Sequence, residues 1–213
     1  MTADRRSPLA HLAEVLAGAS GEAVAIAERP FLAQVGVRLH PGDGGPSAAE
    51  AALGFPLPAT PNTVAAADGR SALWLGPDEW LVLAAPGEEP ALEVELREAL
   101  AGGLGSVVDL SANRTAIELR GPRARDVLAT GCALDLHPRA FAPGRCAQTL
   151  LARAQVILEQ LDDAPAYRLL VRGSFADYLA TWLLDALEEL QPDSSLASAS
   201  RRQRSVRATS LNV

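Results

Sequence analysis

Three histidines, two cysteines and one strand-end aspartate are the side chains best suited by type to do chemistry in this chain. His11, His40 and His137 lie far apart, and none has HxH or HExxH spacing. No local segment therefore offers two imidazoles to a metal. His11, beside Leu12 on a short helix, suits packing or a partner better. Cys132 follows Gly131 at a predicted helix end, and Cys146 opens a predicted strand. Without CxxC spacing, both read as small buried apolar residues rather than reactive thiols. Asp109 ends the run SVVDL, where a catalytic carboxylate could sit. The same place lets it cap the turn through the Ser111 and Asn113 amides, the reading that turn chemistry favours.

Several chemistries are excluded. The basic residues are all arginine, so Schiff-base chemistry, a Walker-type phosphate lysine and a lysine general base are ruled out. No GxGxxG follows a strand. The glycines of AGGLGS follow a helix and precede a strand, which suits a helix stop and a turn. Arg114, Arg120, Arg123 and Arg125 cluster, but Glu118 and Asp126 interleave with them, as on an ion-paired surface. Two loops remain. LDLHPRAFAPG brings His137, Arg139 and Phe141 into one Pro-punctuated turn, and LGPDEW sets Asp78 and Glu79 beside Trp80. Exposed aromatic and arginine side chains in a loop suit a protein contact. The alternative is that Phe141 folds back onto the core.

These residues need a scaffold, and 213 residues with 48% hydrophobic and 21% charged composition suit a soluble globular chain. No apolar run approaches the roughly 20 residues of a membrane span. The start, MTADRRSPLAHLAEVL, is broken by Pro8, His11 and Glu14 and lacks a signal-peptide core. Two cysteines cannot build a disulfide scaffold, so a cytoplasmic location is expected. Net charge is −7, divided as −10 over residues 1–190 and +3 over 191–213. An acidic body argues against a broad nucleic-acid surface.

Pattern predicts a short helix capped by Ser7 with Leu9, Leu12 and Leu16 on one face, then strands around 23–28 and 31–39. Residues 40–63 read as loop with a helical turn or two at Ser47 to Leu53. Two strands flank Gly76-Pro77-Asp78, with Trp74, Leu75, Trp80, Val82 and Leu83 expected in the core. A helix from about Pro90 to Ala101 and a strand at 106–110 follow. RTAIELR (114–120) alternates, with Thr115, Ile117 and Leu119 opposite Arg114, Glu118 and Arg120. A Gly-Pro-led helix carries Ala124, Val127 and Leu128. Strands are expected in CAQTLLA, AQVILEQL and AYRLLVR. Ser174 would cap a last helix with Phe175, Leu179, Trp182, Leu183, Ala186 and Leu187 as its stripe. This order predicts an α+β fold with a ferredoxin-like antiparallel sheet and helices on one face. Residues 1–190 would form a single domain and 191–213 a disordered Ser/Arg-rich tail.

The run VDLSANRTAIELRGPRARDVLATGCALDLHPRAFAPGRCAQTLLARAQVIL resembles the gamma subunit family of bacterial heterotetrameric sarcosine oxidase, as do LGPDEWLVLA and YRLLVRGSFADYLATWLLDAL. The resemblance spans roughly residues 7–190 and implies a fold similar to the folate-binding domain of the glycine-cleavage T-protein. It also implies a non-catalytic role in a complex that demethylates sarcosine to glycine. The co-products would be hydrogen peroxide and 5,10-methylenetetrahydrofolate, or formaldehyde. No cofactor would be bound by this chain. FAD, FMN and NAD would sit on the alpha and beta subunits and zinc on delta, with tetrahydrofolate as co-substrate. Alpha, beta and delta would be its partners, chiefly alpha. The missing Rossmann fingerprint agrees with that division, since amine oxidation needs a flavin. Asn113, Arg114, His137, Arg139 and Phe141 are the residues expected to contact the alpha subunit. The alternative is a free-standing folate-binding or aminomethyltransferase-like protein.

Overall fold

The computed structural model describes residues 5–40, 42, 44–101 and 103–190. The expected disordered tail, 191–213, lies outside the described residues. Among the described residues there are ten strands and five α-helices: α1 (Ala13–Ala19), β1 (Ala25–Arg29), β2 (Ala33–Leu39), α2 (Gly45–Leu53), β3 (Val64–Ala67), β4 (Arg70–Gly76), β5 (Glu79–Ala84), α3 (Glu89–Ala99), β6 (Gly105–Asp109), β7 (Arg114–Arg120), α4 (Ala124–Ala129), β8 (Cys146–Leu151), β9 (Ala154–Asp162), β10 (Ala166–Arg172) and α5 (Gly173–Leu190). The α+β, antiparallel expectation holds. The strands divide between two five-stranded antiparallel sheets, ordered β1-β7-β10-β9-β8 and β3-β4-β5-β2-β6.

Alternation along β7 and β10 explains why the first sheet has two usable faces. Ile117, Leu119, Leu169 and Val171 meet the helices, where Ala176, Leu179, Ala180, Leu183 and Leu187 of α5 form the opposing stripe. On the other face Ala116, Cys146, Ile157 and Leu170 pack against Leu73, Leu81 and Leu83 of the second sheet. The second sheet buries its far side, including Val35, Val37 and Val82, under α2 and α3 through Leu53, Leu92 and Leu96. The layers are therefore helix, sheet, sheet, helix. Each sheet is apolar on both sides along much of its length.

Two close approaches depend on glycine. Gly121 has φ +130°, and a Cβ there would lie 2.5 Å from the Ala23 carbonyl oxygen. The strand-to-helix corner after β7 thus needs a residue with no side chain. Gly131, ending the α4 turn, lies under the Trp182 indole, 2.5 Å from where its Cβ would be.

Three local expectations change. Residues 40–63 hold the nine-residue helix α2, and Val64–Ala67 adds a strand, β3. β3 pairs with β4 through Asp68 and Gly69, both at positive φ, the geometry of an Asp-Gly hairpin turn. Phe175 is 44% exposed instead of lining the α5 stripe. It meets Tyr178 edge-to-face at 6.4 Å between ring centroids. The helix already starts at Gly173, so Ser174 falls in its first turn. Asp177, in the same turn, pairs with His11 Nε2 at 2.8 Å.

Candidate functional site

The two segments singled out by sequence are both held by their own backbones. Between α4 and β8, Asp135 Oδ1 accepts the His137 amide at 2.9 Å, and His137 Nδ1 accepts the Arg139 amide at 3.3 Å. The His137 carbonyl accepts the amides of Ala140 and Phe141. Leu136 and Phe141 enter the core under this turn while His137 and Arg139 stay exposed. Phe141, expected as a partner contact, is 6% exposed and anchors the loop from inside. Its ring gains more by joining the cluster beside α4 and α5 than by standing in water.

The second segment is the turn before β7. Asp109 Oδ1 accepts the Ser111 amide at 2.8 Å, so the turn-capping reading of this carboxylate is the one found. The Asn113 amide bonds instead to the Leu110 carbonyl. Ser111 Oγ accepts the Gln34 amide, and Gln34 Nε2 donates to the Arg114 carbonyl. The Asn113 carbonyl accepts the Gly173 amide, tying the start of β7 to the start of α5. Asn113 is exposed and Arg114 half-buried.

The remaining reactive types are the two cysteines and His40. Cys146 is buried, and burial pushes its thiol up to about 12, so no thiolate nucleophile exists there near neutrality. Cys132 is also a free thiol. His40 Nδ1 accepts the Gly42 amide. Among the described residues no group of three His, Cys, Asp or Glu side chains could hold a metal. Asp78 and Glu79 both face Arg38, and Trp80 is buried with its indole N–H on the Pro58 carbonyl at 2.9 Å.

What sequence reading missed is the charge arrangement on the sheet face that looks toward the second sheet. Pairing across β7, β10, β9 and β8 aligns Glu118, Arg168, Glu159 and Cys146 in one rung. There Arg168 bridges the two acids, at 3.3 Å to Glu118 and 3.0 Å to Glu159, while Arg29 and Arg120 also grip Glu118. Burial alone would raise the Glu118 carboxyl, but the hydrogen bonds of Arg29 and Arg120 and the charge of Arg168 hold it below the usual range. Glu159, more deeply buried, is pushed up by burial against the pull of Arg168. The next rung is mostly apolar: Ala116, Leu170, Ile157 and Gln148. The rung after that sets Arg114 directly opposite Arg172, with Leu150 opposite Gln155 further along the sheet. A cavity of about 310 Å³ lies over this last rung, lined also by Gln148, Thr149 and Ile157. The alternation of RTAIELR and AYRLLVR already puts Arg114 and Arg172 off the apolar faces. The register that sets them side by side is not written in either segment.

β8 links the two segments. Leu151 at its end bridges to Cys132, where the His137 loop begins, and the preceding Leu150 rims the arginine cavity. Asn113 and Arg114 open β7, which β10 and β9 separate from β8, whereas His137 and Arg139 lie in the loop that leads into β8, and among the described residues no bond joins the two groups.

A model of the sarcosine oxidase, gamma subunit family matches residues 42–189. A sarcosine oxidase subunit gamma from an Arthrobacter species is 47% identical over 190 residues, covering 88% of this chain and 92% of its own length. The protein of the same name from Corynebacterium sp. strain P-1 is 45% identical over a span of the same length. Among solved structures, a chain of the heterotetrameric sarcosine oxidase from Corynebacterium sp. U-96, in complex with pyrrole 2-carboxylate, is 42% identical. It superposes with a TM-score of 0.83, covering 89% of this chain and 98% of that one. The aminomethyltransferase T of the glycine cleavage system from Bartonella henselae shares the fold, with a TM-score of 0.63 at 15% identity over 56% of its length. The expected likeness to the T-protein fold is therefore present.

Proposed function

The chain belongs to the sarcosine oxidase gamma subunit family, and from that premise we propose that it is the non-catalytic gamma subunit of a heterotetrameric sarcosine oxidase. The complex would take sarcosine, tetrahydrofolate and oxygen to glycine, 5,10-methylenetetrahydrofolate and hydrogen peroxide, with formaldehyde released when folate is lacking. The observation that carries this reading is the near-complete overlay on one chain of the Corynebacterium sp. U-96 complex.

In this reading FAD, FMN and NAD are held by the alpha and beta subunits and zinc by delta, and the complex works in the cytoplasm. Among the described residues no helix is long and apolar enough to cross a membrane. The gamma chain contributes shape. It supports its partner and helps shield the site where a labile imine or formaldehyde must not meet bulk water. Residues 1–190 act as a single domain, a reading supported by the apolar cluster shared between the two sheets. Its contacts with alpha run through Asn113, Arg114, His137 and Arg139, with Phe141 fixing the loop from beneath.

Co-expression with the neighbouring subunits and capture through a tag on this chain tests the reading. The wild-type chain should bring down a yellow flavoprotein. Arg139→Glu should slow association roughly tenfold at low salt, because a reversed rim charge acts mainly on encounter. Unchanged association would remove Arg139 from the interface. Failure of the wild-type chain to capture any flavoprotein would overturn the subunit assignment itself.

A further inference from the structure

On the face of the first sheet that looks toward the second, the charged rung at Glu118 is ion-paired throughout, and the last rung is not. Glu118, Arg168 and Glu159 alternate across that rung, and Arg29 and Arg120 also pair with Glu118. In the last rung Arg114 and Arg172 face each other with no acid between them. Like charges directly opposite on antiparallel strands destabilise a sheet. Among the described residues neither arginine has a side-chain hydrogen bond or ion pair. The acid acting on Arg114, Glu79, is itself committed to Arg38 at 2.7 Å. Arg153, in the turn that closes β8 onto β9 just beyond this rung, is exposed and likewise unpaired.

This gathering of unmatched arginines lies on a chain of net charge −7, so a shortage of acids does not explain it. The larger cleft between the sheets, about 550 Å³, shows the opposite pattern, its Arg168 and Arg70 being bound to Glu159 and Glu95. The arginine cavity also has the lining a carboxylate needs. Gln155 and the second amide hydrogen of Gln148, whose Nε2 also donates to the Leu75 carbonyl, offer further donors around the two guanidinium groups, and Ile157 and Leu170 give it an apolar floor. Guanidinium forks bind a planar carboxylate bidentately, and desolvation by the floor strengthens such a bond. Its volume of about 310 Å³ admits an acidic side chain.

We propose that the Arg114–Arg172 cavity is the receptor for an aspartate or glutamate side chain of a partner subunit, which supplies the missing counter-charge when the complex assembles. The proposal rests on the gamma-subunit reading and adds the partner's chemistry and the role of Arg172. Arg153 steers the approaching acid, and Leu150, 53% exposed at the rim, is covered on docking.

The test uses the full chain co-expressed with its partner subunits. Arg114→Gln/Arg172→Gln should weaken its affinity for the partner roughly a hundredfold and flatten the salt dependence of binding. The same double variant, isolated, should melt no lower than wild type, because it relieves a like-charge contact and breaks no ion pair. Arg114→Lys/Arg172→Lys should recover part of the affinity, keeping charge without the planar fork. Unchanged affinity of the glutamine variant in a complex that wild type does form would overturn this proposal alone. Lower melting of the isolated variant would overturn it too, by assigning the arginines a structural role. Saturable binding of acetate to the assembled complex, abolished by the double variant, would leave the cavity to a free carboxylate and overturn the docking claim. If wild type does not assemble, the subunit reading falls and this proposal with it.

Discussion

Replacing Glu118 by glutamine should destabilise the folded chain by roughly 3 kcal/mol at neutral pH, the lower end of what breaking a buried ion pair costs. One carboxylate serves three guanidinium groups. Its Oε2 accepts Arg29 Nε at 2.9 Å and Arg120 Nη2 at 3.0 Å, and its Oε1 accepts Arg168 Nη2 at 3.3 Å. The second sheet leaves the Arg168 side chain only 18% exposed, so it turns to water less readily than the half-exposed Arg29 and Arg120. That escape keeps the effect at the low end. The pH dependence has a definite sign. A carboxyl held below its unfolded value stabilises the fold above that value, and the contribution disappears as pH falls through the folded one. The gap between wild type and Glu118→Gln should therefore be full at pH 7 and shrink below about pH 4. Glu159 works the other way. Its raised carboxyl favours the fold when protonated, and that contribution is lost as pH rises. Urea unfolding of both proteins from pH 3 to 8 measures the difference. A gap independent of pH would show that Glu118 acts by packing instead of charge.

Phe141→Ala should cost about 3–5 kcal/mol, the range for emptying a buried phenylalanine site. It should also detach the loop that carries His137 and Arg139. The Phe141 ring lies in the cluster of α4, α5 and the first sheet, and its amide closes the turn onto the His137 carbonyl. Without the ring, the turn keeps its hydrogen bonds but loses its hold on the core. Phe141→Leu should cost less than about 1.5 kcal/mol and keep assembly, since an apolar side chain of similar reach refills the site. Thermal melts and limited proteolysis across residues 133–145 separate the two variants. Equal proteolysis of Phe141→Ala and wild type would mean that the loop is held by its backbone alone.

Much of this fold was legible. The period-2 runs of β7 and β10 and the period-3.6 stripe of α5 identify their own faces. The Asp68-Gly69 pair carries a hairpin signal, yet VAAA beside it is too poor in β-branched residues to announce a strand. β3 exists because β4 offers it a partner. The second sheet was harder to foresee. With one sheet expected, the face of Arg114, Glu118 and Arg120 reads as solvated, and Glu118 as a surface acid. Once a second sheet covers that face, the same alternation buries Glu118 and turns its arginines into obligatory partners. For the site, LDLHPRAF correctly marks an ordered, exposed loop. Whether its Phe points in or out depends on the helices beneath, which are distant in sequence. The arginine cavity needs the register of β10 on β7, a tertiary fact that neither strand specifies.

The most direct measurement is size-exclusion chromatography with ultraviolet–visible detection of this chain alone and co-expressed with its neighbouring subunits. The chain alone should elute colourless and consume no oxygen with sarcosine. Co-expressed, it should elute within a larger yellow species that consumes oxygen when sarcosine is added. A colourless monomer in both runs, or sarcosine oxidation by the isolated chain, would contradict its assignment as a non-catalytic subunit.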